Sequence, residues 1–234
     1  MNDLSLPDLL THFEIDCVLD VGANRGQFAR SLRDAGYRGD IHSFEPVAAT
    51  YRALREAADG DARWRAWPLA LGPRVGRERI NVLADDGYSS LLDPNESPDA
   101  HFGDKLERRR EETITVTTLD AFLNEHGEAF ANRRILLKMD TQGYDLEVVR
   151  GAARSLARIP VILSEIAFMP LYQHAPDYLE ALASYQQLGF HLACLIPTHR
   201  RETDLALIEA ACCLVNVRGK PEIGDNRGGQ NAPI

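Results

Sequence analysis

Nowhere does the sequence hold an unbroken apolar run near the roughly 18 residues that a membrane-crossing helix requires, so no membrane span is expected. Cysteine is scarce as well: there are four, Cys17, Cys194, Cys212 and Cys213, each inside an apolar strand-like segment. Zinc clusters want spaced pairs in turns, and secreted disulfide scaffolds are much denser in cysteine, so these four read as buried small hydrophobes in a reduced compartment. The opening Met1-Asn2-Asp3-Leu4 lacks the basic and apolar regions of a secretory signal, which points to the cytoplasm. Positive charge is in deficit: 26 Lys and Arg against 35 Asp and Glu leave a formal net charge of -9, which disfavours a nucleic-acid partner. Internal repeats are lacking too.

What is present is ordinary globular composition, 44% hydrophobic and 26% charged over 234 residues, enough for one sizeable core. Strand-like and helix-like segments alternate, which predicts an α/β fold with a mainly parallel sheet and helices on both faces. The strands fall at 17–21, 40–44, 64–71, 135–140 and 161–167, with helices at 26–35, 48–58, 144–157 and 177–188. The segments 190–196 and 206–217, around the polar turn 198–204, read as a C-terminal antiparallel hairpin. One domain is expected over 1–218, followed by a Gly-, Asn- and Pro-rich flexible tail at 219–234. An insertion at about 77–118 interrupts the alternation; its polar stretch 93–110 reads as a lid over the active site. Arg108-Arg109-Arg110 within it reads as a solvated helix face before an anion clamp. Leu4 to Phe13 has two readings, packing on its own domain or on a neighbour's, which leaves a homo-oligomer open.

The sharpest local signal is Asp20-Val21-Gly22-Ala23-Asn24-Arg25-Gly26, between a buried strand and a helix. Glycines there let the backbone turn tightly and approach a ligand, and the helix N-terminus offers free amides. Dinucleotide enzymes use G-x-G-x-x-G for a pyrophosphate. Here Gly22, Asn24 and Gly26 lack the second glycine, and Asp20 would repel a pyrophosphate. A carboxylate at that point suits a cationic group, such as the amino-acid half of S-adenosylmethionine. The next strand ends in Ser43-Phe44-Glu45-Pro46, placing Glu45 where an acid accepts both ribose hydroxyls.

With these pieces the sequence resembles the FkbM-type methyltransferases. The matching segments are 19–26, 43–46, Ala70-Leu71-Gly72, Ser89-Ser90-Leu91, Thr118-Leu119-Asp120, 137–143 and Val149-Arg150-Gly151, in order through nearly the whole chain. The resemblance implies a Rossmann-like seven-stranded methyltransferase fold, S-adenosyl-L-methionine as donor, and transfer to a hydroxyl of a small sugar or secondary-metabolite acceptor. One position departs from the family's Asp-x-Glu-Gly: this chain has Asp140-Thr141-Gln142-Gly143, and the role of the family's acid is not carried over to Gln142.

Methyl transfer from a sulfonium is an in-line displacement, so positioning dominates, and an alcohol acceptor must also lose its proton. Asp140, at a strand's carboxyl edge, is the first candidate for that work, with Lys138 on the same strand face and His174 in the loop 169–174 as further catalytic candidates. Asp140 and Glu165 together suit a divalent metal such as Mg2+. The expected cofactor contacts are Asp20, Gly22, Asn24, Gly26, Glu45, Ala70 and Ser89. His42, Trp64 and Trp67 read as core residues, and Tyr172 as packing under its loop. The competing readings are a family member acting on nitrogen, one that binds without turnover, and an NAD-linked oxidoreductase.

Overall fold

The computed structural model describes residues 5–95 and 102–217; Met1 to Leu4, His101 and the expected tail at 219–234 lie outside the described residues. Strands β1 (Cys17–Val21), β2 (Asp40–Phe44) and β3 (Trp64–Trp67) alternate with helices α1 (Leu6–His12), α2 (Gln27–Asp34) and α3 (Ala48–Ala58). The short β4 (Ala70–Leu71), with β5 (Gly76–Leu83) and β6 (Arg108–Thr117), builds the insertion. Then come α4 (Leu119–Glu125), α5 (Gly127–Phe130), β7 (Ile135–Met139), α6 (Asp145–Arg150), β8 (Val161–Ala167), α7 (Tyr178–Gln187), β9 (Phe190–Arg200) and β10 (Leu207–Asn216).

The seven-stranded sheet runs β3-β2-β1-β7-β8-β10-β9. Its first five strands are parallel, and β10 pairs antiparallel with both β8 and β9. This is the Rossmann-like order expected, C-terminal hairpin included. All five residues of β1 and of β7 are buried, as strands covered on both faces require, each carrying one charged residue, Asp20 and Lys138. One apolar layer gathers Leu19, Phe44, Phe122, Leu137 and Tyr185, and the opposite one Val18, Leu32, Ile41, Leu54 and Leu136. The order of winding reverses between β1 and β7: the sequence builds outward to β3 on one side, then to β8 on the other. Open α/β sheets bind ligands at the carboxyl ends of the strands flanking such a switch.

Three elements differ from the sequence expectation, each for a local reason. The third strand splits, because Pro68 cannot donate to the ladder: Trp64–Trp67 stays in the main sheet, while Ala70–Leu71 pairs with β6 in a separate sheet, β4-β6-β5. The helix expected to reach residue 157 stops at Arg150, where Gly151 packs against the Gly72 carbonyl too closely for any Cβ. Arg108 to Arg110 begin a strand rather than a helix and are paired with Asp93, Glu107, Glu111 and Glu112, so the triplet is an ion-paired strand end and not an anion clamp. The insertion is seated by Phe102, Leu106 and Leu83 against Leu171, Tyr172 and Ile208. All four cysteines are free, with Cys17, Cys212 and Cys213 buried and Cys194 half-buried. No described helix is long and apolar enough to cross a membrane.

Candidate functional site

A solvent-open crevice lies at the switch point, between the ends of β1 (Val21, Gly22), β2 (Phe44, Glu45) and β7 (Asp140, Thr141). Ala70 and Leu71 close one side; Asp86, Gly87 and Ser89 of the insertion close another. The glycine loop forms its floor. Gly22 turns at φ 72, and a Cβ there would lie 2.0 Å from the Asp140 carbonyl oxygen, so only glycine lets β1 and β7 approach at this point. Asn24 lines the crevice with a left-handed backbone, φ 48, a conformation that asparagine tolerates. Gly26 precedes α2 and packs against the Trp64 ring, below the crevice rather than in it.

Glu45 lines the crevice together with Asp86 and Asp140. It is 6% exposed, and its two oxygens accept hydrogen bonds from the Asn24 amide (3.0 Å) and the Val47 amide (2.9 Å). A carboxylate has about four lone-pair sites, so the two amides fix its orientation and leave acceptor capacity facing the cavity. Burial pushes its pKa up from 4.5 to about 7 against the pull of those amides, with Asp86 and Asp20 adding to the rise. Such a group contributes stability below its unfolded value that is lost as pH rises through 7, whereas a ligand hydroxyl bound to the ionised form gains over the same interval. Binding through Glu45 is therefore expected to tighten about tenfold from pH 6 to pH 8 while the ligand-free protein loses stability, a pair of opposite trends that calorimetric titration and thermal melts at both pH values check.

Asp20 corrects the sequence expectation. Its side chain is 0% exposed and does not line the crevice. It accepts from the Ser43 hydroxyl (3.2 Å), itself held by Trp64 Nε1, and lies 3.0 Å from Lys138 Nζ on the adjoining strand. The pairing follows from register, since Asp20 and Lys138 are direct partners across β1 and β7. Lys138 also donates to the Gly22 carbonyl at 3.3 Å. Burial alone would lower the lysine pKa, but Asp20 and then Asp140 outweigh it and hold the ammonium above the ordinary lysine range. Lys138 is thus a buried cation, paired with Asp20 and near Asp140, that braces the glycine loop.

Asp140 reaches the crevice, as expected. Its Oδ1 accepts from Gln142 Nε2 at 2.7 Å, and its Oδ2 lies 3.8 Å from Lys138. The same Gln142 amide donates to Glu165 at 3.1 Å, while its Oε1 accepts from the Tyr172 hydroxyl. A neutral amide therefore bridges the two carboxylates expected to share Mg2+, occupying the place between them that the ion would take. The single Tyr172 hydroxyl proton is shared with the Tyr88 carbonyl, 2.6 Å away, so Tyr172 ties this network to the insertion instead of merely packing. Burial, reinforced by Asp140, Glu209 and Asp145, drives Glu165 well above the carboxylate range.

Ser89 lines the crevice, with its hydroxyl accepting from the Leu83 amide, and Ser90 donates to the Gln142 carbonyl at 2.8 Å. His174 is exposed at φ 62 and lines none of the described cavities. His42 and the tryptophans are core: His42 accepts from Trp67 Nε1 at 3.2 Å, and burial pushes its pKa down to about 4. Sequence reading missed His199 and Glu209, which meet beside Glu165 because β9 runs past the turn expected at 198. It also missed the clamp of Arg25 and Asn24 on Asp86, which fastens the insertion to the glycine loop at the crevice mouth.

A family profile described as Methyltransferase FkbM domain matches residues 20–192. The 2-O-methyltransferase NoeI of Sinorhizobium fredii strain NGR234 is 27% identical over 161 residues, 67% of this chain and 65% of that protein; the chain thus spans just under two thirds of its relative's length. Among solved structures, magnesium protoporphyrin IX methyltransferase of Synechocystis PCC 6803 with bound SAM aligns with a TM-score of 0.48 and 10% identity, covering 90% of this chain and 77% of that one. Aeropyrum pernix fibrillarin with bound S-adenosyl-L-methionine gives 0.44 and 12%, covering 86% and 66%.

Proposed function

Since this chain belongs to the FkbM methyltransferase family, we propose that it transfers the methyl group of S-adenosylmethionine to a hydroxyl of a small sugar or secondary-metabolite acceptor. The observation that carries the reading is the crevice at the sheet's switch point, with Glu45 pre-oriented at its rim. Hydroxyl over nitrogen is favoured by the relative's name, a 2-O-methyltransferase.

In this reading Glu45 accepts the two ribose hydroxyls, Ala70 and Leu71 face the adenine, and the backbone of Gly22 to Asn24 faces the amino-acid end. The donor supplies an electrophilic methyl on a sulfonium. The acceptor oxygen forms the new C–O bond as the C–S bond breaks, the electron pair stays on sulfur, and the hydroxyl proton leaves. Asp140 is the carboxylate at the crevice positioned to take that proton or hold the hydroxyl in line. Gln142, donating to Asp140, fixes its rotamer while adding no negative charge beside it. Asp140→Asn is expected to bind donor within about twofold of the parent and lose roughly 100-fold in turnover, the usual scale for a general base; single-turnover kinetics separate the two effects.

The test is release of S-adenosylhomocysteine across a panel of sugars, polyols and phenols, with amines as the competing class. Turnover confined to amines overturns the hydroxyl assignment. Donor binding with no turnover on any class favours a member that binds without catalysis.

A further inference from the structure

The antiparallel half of the sheet carries a cluster that methyl transfer through Asp140 does not use. We propose that Glu165, His199 and Glu209 bind one divalent transition-metal ion beside the crevice. Strand register brings them together. Glu209 on β10 is the direct partner of His199 on β9 and of Ala167 on β8, two residues beyond Glu165, so all three side chains share one face. One ligand atom from each lies within 4.8 Å of the others. Metal–ligand bonds of about 2.0–2.2 Å place ligands on opposite sides of an ion about 4.3 Å apart, so small rotamer adjustments close the set.

Two further observations point to an ion rather than a chance meeting of acids. Glu209 is 4% exposed, and its Oε2 accepts no hydrogen bond although the carboxylate is buried. His199 Nδ1 stands 3.2 Å from that oxygen as an ion pair. That spacing matches two neighbouring ligands on one metal, about 3 Å apart. The imidazole selects the chemistry: nitrogen with two carboxylates suits manganese, iron, cobalt or zinc better than magnesium. Gln142 and the Thr198 hydroxyl each donate to a Glu165 oxygen, orienting the carboxylate from outside the cluster. The cluster lies on the far side of Gln142 from the donor crevice. An acceptor role for the ion rests on the methyl-transfer reading; its binding does not.

Calorimetric titration of the chelator-stripped full chain with MnCl2 and with ZnCl2 tests the proposal, alongside the electron paramagnetic resonance spectrum of Mn2+. One site is expected, weakened at least about tenfold in Glu209→Gln and His199→Ala and unchanged in His191→Ala, an exposed histidine on the same strand. Circular dichroism checks each variant's fold; should Glu209→Gln not fold, His199→Gln at the half-buried position carries the comparison. No binding of either ion, or binding indifferent to both substitutions, overturns the site. S-adenosylmethionine is titrated separately, so a chain that binds donor and no metal rejects this proposal alone.

Discussion

A Gly22→Ala chain is expected to lose donor binding altogether and to melt far below the parent. The added Cβ would sit 2.0 Å from the Asp140 carbonyl oxygen and 2.8 Å from its carbon. Both are backbone atoms, so no rotamer change relieves the overlap. Relief requires β1 and β7 to part at the point where they form the crevice, where the Asp140 amide donates to the Val21 carbonyl. The backbone at φ 72 adds a left-handed penalty of about 1–2 kcal/mol for any residue with a Cβ. Because the displaced atoms are also the crevice floor, stability and binding fall together, which thermal melts and donor titration on the same preparation would register. A parental melting temperature in Gly22→Ala would mean that this close approach is not a feature of the protein.

Asp20→Asn is expected to cost about 3–5 kcal/mol of stability, a large part of the 5–15 kcal/mol typical of a domain. The substitution keeps shape and removes charge. Lys138 would then be left buried with only Asp140, at 3.8 Å, as counter-charge. A buried pair contributes little over an apolar replacement, but removing one member strands the other. The double substitution Asp20→Leu with Lys138→Met is therefore expected to recover most of the loss in urea unfolding. A single-variant cost below about 1 kcal/mol would place Asp20 among exposed, weakly coupled acids, contrary to its complete burial.

This reassignment of Asp20 shows where sequence reading stops. The position, a carboxylate closing a buried strand before a glycine loop, was legible; the direction of its side chain was not, because that depends on strand order. Once β7 lies beside β1, Asp20 faces Lys138 by register, and the cation sought in the ligand is supplied by the protein. Glu45 stood clear in sequence because it follows its strand's last residue, at the carboxyl edge of the sheet. Parallel strands and helices were readable from apolar runs and turn residues. The split at Pro68 was signalled by proline itself and overridden by the surrounding hydrophobicity. Gln142 was visible as a departure from the family pattern, yet its bridging of Asp140 and Glu165 needed two strand ends and the loop bearing Tyr172 brought together. His199 and Glu209 carried no local motif. They meet through antiparallel pairing of distant segments, a relation that spacing along the chain does not encode.

The most direct measurement is calorimetric titration of S-adenosylmethionine into the parent chain and into Glu45→Gln at pH 8. Glutamine keeps the length but turns an N–H2 toward an amide donor at Asn24 or Val47 and removes one ribose acceptor. One donor per chain is expected for the parent, with affinity at least about tenfold lower in the variant, the scale of a lost charged hydrogen bond. Equal affinity in the two chains, or no binding by a folded parent, would contradict the assignment of this crevice to the donor.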